Sequence, residues 1–210
     1  MKLTVFGATG GIGQEIVHQA LASGHEVTAV VRDPARLTVT GSRLTVQRAD
    51  LSDPEALRGA VAGRDAVLSA LGARTRADAG VAARLTRSVL TAMEAEKTRR
   101  LLVVSAAPLG PVPDGQALVD KAVLAIINNV LKDIYADLRV MESDLAASSA
   151  DWTSVRPPKL TNKPGTGRYR KVVGGTPSRG RSLARSDVAH AMLAMIDDPA
   201  TVRQGVGVAY

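Results

Sequence analysis

Phe6-Gly7-Ala8-Thr9-Gly10-Gly11-Ile12-Gly13 follows a short apolar run, Leu3–Phe6, and opens a longer one, Ile12–Ala22. A strand that turns through glycines into a helix is how dinucleotide sites cradle phosphate, and each glycine has its own task. Gly7 permits the tight turn, Gly10 lets the backbone approach a pyrophosphate, and Gly13 lets the helix pack close to the sheet. The helix start at Gly11 and Ile12 offers unpaired N–H groups and the positive end of its dipole to the phosphates. A glycine triplet alone is weak evidence. Here a second strand begins about 20 residues on, which is the context the motif requires.

That second strand, Glu26–Val31, ends in Arg32, with Arg36 one helical turn later. A site for NAD places an acidic residue there to accept from the ribose 2′-hydroxyl, whereas arginine suits a 2′-phosphate. Asp33 falls one position late and reads as the cap of a Pro34–Leu37 turn. Arg32 and Arg36 therefore predict NADPH as the cofactor.

Outward from this unit, β-rich runs alternate with longer helical ones, which predicts βα units on a parallel sheet. The strands read as Leu3–Phe6, Glu26–Val31, Leu44–Arg48, Ala66–Ala70, Leu101–Ser105 and Thr153–Arg156. The helices read as Ile12–Ala22, Pro54–Val61, Val81–Glu96, a span within Gln116–Ser148, and Val188–Ile196. Asp53-Pro54 is an N-cap with proline in the first turn, and Ser186-Asp187 reads as the cap of the last helix. Gly24 and Gly63 close the first two helices. Residues 157–182, rich in Pro, Gly and cations, read as a loop with one short strand at Tyr169–Val173; a short tail ends in Val206–Ala209. The expected fold is α/β: one Rossmann-type domain over residues 1–210, a doubly wound parallel sheet with a short irregular C-terminal segment covering the substrate side.

Composition narrows the function classes. The 210 residues include no cysteine, which excludes disulfides, thiolate metal sites and redox thiols. No apolar stretch approaches the ~20 residues of a membrane span, so a cytoplasmic protein without a membrane partner is expected. The net charge of +7 is concentrated: between Trp152 and Ser186 there are nine cations and no Asp or Glu, and setting those nine aside leaves 18 basic against 20 acidic residues. Nucleic-acid surfaces often interleave aromatics for stacking. The chain has five aromatics in all, so the block predicts attraction of a small anionic ligand rather than nucleic acid. A solvated basic loop is the plainer alternative. His18, His25 and His190 stand away from the strand ends, so no histidine metal site and no Ser-His-Asp arrangement is expected.

Gly7 to Gly13, Val30-Val31-Arg32-Asp33-Pro34, Ala49-Asp50-Leu51, Val103-Val104-Ser105-Ala106, Trp152 to Pro158 and Ser186-Asp187-Val188-Ala189 occur in an order and spacing that resembles the atypical short-chain dehydrogenase/reductases. Within them the chain looks most like the NAD(P)H-binding group that includes biliverdin reductase B, a flavin reductase, and the NmrA-like proteins. The resemblance implies that Thr9 touches the phosphates, Asp50 and Leu51 bracket the adenine, and Leu71-Gly72-Ala73 runs along the cofactor. It places Ser105 where the superfamily sets a substrate-facing hydroxyl. Two departures concern the substrate side: flavin reductases of this group carry serine at the position of Ala106 and histidine at that of Lys159.

Carbonyl reductases of the superfamily add a Tyr-x-x-x-Lys pair to protonate the developing alkoxide. Tyr135-Ala136-Asp137-Leu138-Arg139 has arginine in place of lysine and reads as a packing or surface tyrosine. Ser105 and Lys159 remain as catalytic candidates, each matched by a plain reading as a strand-end hydroxyl and a solvated charge. A flavin or quinone takes a hydride without a dedicated proton donor, because its charge delocalises. The expectation is an NADPH-dependent reductase of a planar, anionic small-molecule acceptor. An NmrA-like NADP(H) sensor without turnover is the alternative. Whether the chain is a monomer or a homodimer stays open.

Overall fold

Near-continuous apolar runs give strands buried on both faces, as a parallel sheet requires. The computed structural model describes residues 1–73, 75, 78–111 and 131–210. In it β1 (Lys2–Phe6), β2 (Glu26–Val31), β4 (Ala66–Ser69) and β5 (Arg100–Val104) are almost wholly buried. Alternating with them are α1 (Gly11–Ala22), β3 (Leu44–Arg48), α2 (Pro54–Val61), α3 (Val81–Ala95), α4 (Lys132–Ala147) and β6 (Asp151–Arg156). The capping signals act locally as read: Asp33 accepts from Ala35 N–H at 3.1 Å and Asp53 from Glu55 N–H at 3.0 Å.

With β8 (Arg170–Val173) and β10 (Gln204–Ala209) added, the strands join in the order β3-β2-β1-β4-β5-β6-β10-β8. Every pairing is parallel except that of β8 with β10. Helices α1 and α5 (Arg185–Ala194) cover one face, where Leu3, Val5, Ile16, Val17, Val188 and Met192 form a core. Helices α2, α3 and α4 cover the other, over Phe6, Leu57, Val67, Val89, Met141 and Leu145. The fold is the expected Rossmann-like α/β architecture.

The C-terminal third departs from its reading in three places. The tail is not terminal trim: β10 (Gln204–Ala209) enters the sheet beside β6 and is buried along nearly its whole length. Residues 157–182 are less irregular than their composition suggests. β7 (Lys159–Thr161) pairs in parallel with β9 (Ser182–Ala184) in a separate two-stranded ribbon, while β8 (Arg170–Val173) forms the sheet's edge. Exposed Arg170 and Lys171 protect that edge from pairing with another chain. The last helix begins at Arg185 with Ala184 as its N-cap, so Ser186 and Asp187 lie in the first turn and do not cap it. Part of the predicted Gln116–Ser148 helix, residues 116–130, lies outside the described residues. No helix among the described residues is long and apolar enough to cross a membrane.

Candidate functional site

Sheet order reverses direction between β1 and β4, and the carboxyl ends of strands at such a switch point border the ligand crevice. A cleft of about 720 Å³ opens there. Its walls are the glycine turn (Gly7, Thr9, Gly10, Gly11, Ile12), the end of β2 (Val30 to Asp33, with Arg36), Leu51, the stretch Ala70 to Ala73, the start of α3 (Val81, Leu85) and Arg185.

The turn is built as its sequence dictates. Gly7 has φ +73°, a left-handed conformation that disfavours a side chain, and a Cβ on it would lie 2.6 Å from the Ala70 carbonyl oxygen. Gly10 N–H donates to the Gly7 carbonyl at 2.9 Å, closing the turn. A Cβ on Gly13 would lie 2.1 Å from that same oxygen, so this third glycine packs helix to strand and does not line the cleft. Helix α1 has no side-chain cap and no acidic residue in its first turn. Its first N–H groups are thus left to a ligand, and an anion satisfies them best.

Arg32 and Arg36, both exposed, line the cleft beyond β2, and neither makes a salt bridge among the described residues. Of the acidic residues among the described ones, only Asp33 lines the same space. Leu51, Leu71, Gly72 and Ala73 line it as well. Asp50 does not: its carboxylate folds back onto Ser52, accepting from the backbone N–H at 2.9 Å and the hydroxyl at 2.7 Å, contacts that hold it below the ordinary carboxylate range.

The catalytic candidates stand apart from the cleft walls. Ser105 follows β5, is 6% exposed, and donates its backbone N–H to the Val155 carbonyl at 2.7 Å. Its hydroxyl is shielded from solvent and meets no partner at hydrogen-bonding geometry, yet lies close enough to the Glu142 carboxylate to help hold its charge. Lys159 is exposed on β7. Tyr135 of α4 is buried in the core, with burial pushing its phenol pKa up; packing is its role.

Three polar arrangements near the site escaped the sequence reading. Arg156, at the end of β6, grips Glu142 of α4 in a two-pronged pair, Nε at 2.9 Å and Nη2 at 2.7 Å, and Ser154 Oγ donates to the same carboxylate at 2.6 Å. Burial works against that charge, but Arg156, Ser154 and Ser105 outweigh it and hold Glu142 below its usual range. Asp137 caps α3 from outside, accepting from the N–H groups of Ala82 at 2.9 Å and Ala83 at 3.0 Å, which sets Val81 and Leu85 against the cleft. Asp187, 2% exposed, accepts from the N–H groups of Thr166 and Gly167, both at 2.9 Å, and from the Tyr210 hydroxyl at 2.5 Å. Burial opposes its charge, and these donors overcome it, so its carboxyl also titrates low. The same buried charge helps burial push the Tyr169 phenol up to about 12. Each of these contacts joins residues distant in sequence, and no local pattern announces them.

Part of the basic block is held within the fold. Arg170 donates to the Ser178 and Tyr210 carbonyls, and Lys171 pairs with Asp198 at 2.5 Å. No residue of 157–182 lines the cleft; from the nine cations only Arg185 does. Among the described residues no group of three His, Cys, Asp or Glu side chains is placed to hold a metal.

Glu142 and Asp187 predict acid sensitivity. Their folded pKa values are depressed, so their contribution is complete above the unfolded carboxylate range of about 4 and is lost as pH falls through the folded values. The urea midpoint should drop between pH 5 and pH 3. Glu142→Gln and Asp187→Asn should each be less stable by about 2 kcal/mol at pH 7 and show a shallower acid decline. An unchanged slope in both variants would assign the acid response to other groups.

Solved structures place the fold among known neighbours. A candidate exported protein from Burkholderia pseudomallei superposes at TM-score 0.82 with 28% identity, all of both chains being covered. A short-chain dehydrogenase/reductase from Veillonella parvula, in complex with NADP, superposes at TM-score 0.82 with 22% identity over 100% of this chain and 94% of that one. A candidate NADH-flavin reductase from Streptococcus pneumoniae gives TM-score 0.82 at 23% identity, over 100% and 99%. In sequence, an isoflavone reductase homolog from Zea mays is 36% identical over 86 residues, which is 37% of this chain and 28% of that protein. A family model described as NAD(P)H-binding matches residues 7–199. The glycine turn, the uncapped helix start and the switch-point cleft all lie within that match, and the chain belongs to this NAD(P)H-binding family.

Proposed function

We propose that the chain is an NADPH-dependent reductase that passes a hydride to a planar, anionic acceptor such as a flavin or quinone. The observation that carries it is the pair Arg32 and Arg36, exposed, without ion-pair partners among the described residues, and lining the cleft at the strand end where a 2′-phosphate would lie. Gly7, Thr9, Gly10, Gly11 and Ile12 would take the pyrophosphate, with Gly13 holding the turn in shape. Leu51 beside Asp50 would border the adenine, and Leu71 to Ala73 would follow the cofactor toward the nicotinamide. The cofactor supplies the hydride; the protein binds, orients and polarises.

The acceptor side supports a delocalised substrate. Tyr135 is buried in packing, Arg139 is exposed, and no tyrosine lines the cleft, so no Tyr-Lys proton donor serves a carbonyl there. In this reading Ser105 borders the acceptor beside the Glu142–Arg156 pair, and Lys159, just beyond the end of β6, faces its negative charge. The surplus of cations in the C-terminal third draws an anion toward the sheet's carboxyl edge. Structural likeness to a candidate NADH-flavin reductase agrees with such an acceptor.

Titration and turnover test this together. NADPH should bind roughly tenfold to hundredfold tighter than NADH, and Arg32→Ala should remove most of that preference. Flavin mononucleotide should be reduced faster than uncharged riboflavin at low salt, with the gap narrowing as screening falls to about 8 Å near physiological ionic strength. Lys159→Ala should raise KM for flavin mononucleotide more than it changes NADPH binding. Equal affinity for both cofactors would sink the assignment of Arg32. Tight NADPH binding with no consumption by any flavin or quinone would favour an NADP(H) sensor.

A further inference from the structure

We propose that Arg185 is a pyrophosphate-binding residue of this site and that Asn162 is the positioning residue that holds it. The inference rests on the cleft being a dinucleotide site, as proposed above. Arg185 lies far from the glycine turn in sequence, since it belongs to the last helix and the turn to the first.

Geometry brings them together. Arg185 lines the cleft, and its side chain crosses Gly11: a Cβ built on that glycine would lie 2.7 Å from Arg185 Cδ and 3.1 Å from Nε. Gly11 opens α1, whose first N–H groups have no side-chain cap. The cation therefore sits beside donors already suited to an anion, and a guanidinium offers a planar fork that matches phosphate oxygens. Among the described residues Arg185 makes no ion pair, and the one carboxylate of theirs that lines the cleft, Asp33, belongs to the β2 end with Arg32 and Arg36. Two cationic positions result, one for the 2′-phosphate and one for the pyrophosphate.

The fold holds Arg185 in place through elements invisible in the sequence. Strands β7 and β9 pair in the register Thr161↔Ala184, so the next residues of each strand, Asn162 and Arg185, emerge side by side. Arg185 Nη1 donates to Asn162 Oδ1. Asp187, in the first turn of α5, fastens the chain that follows Asn162 through the N–H groups of Thr166 and Gly167. Thus the two adjacent glycines have different causes. Gly10 leaves room for the ligand, and Gly11 leaves room for the side chain that meets it.

Calorimetric titration with NADP⁺, NAD⁺ and adenosine 2′-monophosphate separates the roles, since the last has no pyrophosphate. Arg185→Ala should weaken NADP⁺ and NAD⁺ by the same factor, roughly tenfold or more, and leave adenosine 2′-monophosphate unchanged. Arg32→Ala should do the converse, weakening NADP⁺ and the nucleotide and sparing NAD⁺. Arg185→Lys, which keeps the charge and disturbs packing least, should recover part of the loss. Asn162→Ala should show the same signature at smaller size. Unchanged dinucleotide affinity in Arg185→Ala overturns the proposal, as does an equal loss for adenosine 2′-monophosphate, which would mark a structural role. Failure of the unmodified chain to bind any dinucleotide would overturn the site assignment itself, and this inference with it.

Discussion

Gly10→Val is expected to abolish dinucleotide binding in a chain that still folds. Gly10 has φ −88° and ψ 164°, extended backbone that any residue adopts. The nearest atom to a Cβ there is the Gly7 carbonyl oxygen at 3.3 Å, a tight but tolerable approach. Its isopropyl group would fill the space where a pyrophosphate meets the helix start. Losing two or more charge-assisted contacts predicts an affinity drop of at least about a hundredfold. Gly13→Ala is the informative contrast. Its methyl would meet backbone at 2.1 Å, so the damage should exceed the ~3 kcal/mol upper range of ordinary overpacking and appear as unfolding. Thermal melts beside titration read both. A folded Gly10→Val chain of unchanged affinity would put the dinucleotide elsewhere.

Arg100→Ala should be the most destabilising change among the polar residues. Arg100 is 9% exposed, and its guanidinium donates to the carbonyls of Ile196 at 2.8 Å, Met195 at 2.5 Å and Asp151 at 2.7 Å. It also donates to the hydroxyls of Thr153 at 2.9 Å and Thr201 at 3.0 Å. Burial pulls its pKa down, while Asp151, Asp198 and Asp197 pull the other way. The cation caps the carboxyl end of α5, where the helix dipole favours it, and ties that end to β5 and β6. Removing it leaves buried carbonyls unpaired, a loss of about 3–5 kcal/mol and a Tm lower by roughly 10 °C. Arg100→Lys should rescue little, since one ammonium cannot reach five acceptors in a fork. A Tm within a few degrees of the parent would show that water satisfies those groups.

The legible part of this protein is the part with local causes. Glu26–Val31, Leu44–Arg48 and Pro54–Val61 have the bounds their apolar runs and caps predicted. Each is delimited by a residue acting on its immediate neighbours, as Asp53 acts on Glu55. The glycine turn is legible for the same reason, because backbone geometry over eight residues determines where phosphate can approach. Ser186-Asp187 shows the limit of such reading. The pair has cap chemistry, but Asp187 reaches Thr166, Gly167 and Tyr210 because tertiary packing brings better donors to it than its own helix offers.

By itself the sequence determined the parallel sheet, the glycine turn and the two arginines after β2, all encoded within a few residues of where they act. Only tertiary structure decided that the tail becomes β10 inside the sheet and that three-residue strands β7 and β9 pair. It alone placed Asp137 on the start of α3, and brought Arg185 across Gly11 from 174 positions away. The physical reason is common to all four. A three-residue strand, a single cap or one crossing side chain has no periodicity to read, and becomes stable only when distant surfaces are already packed around it.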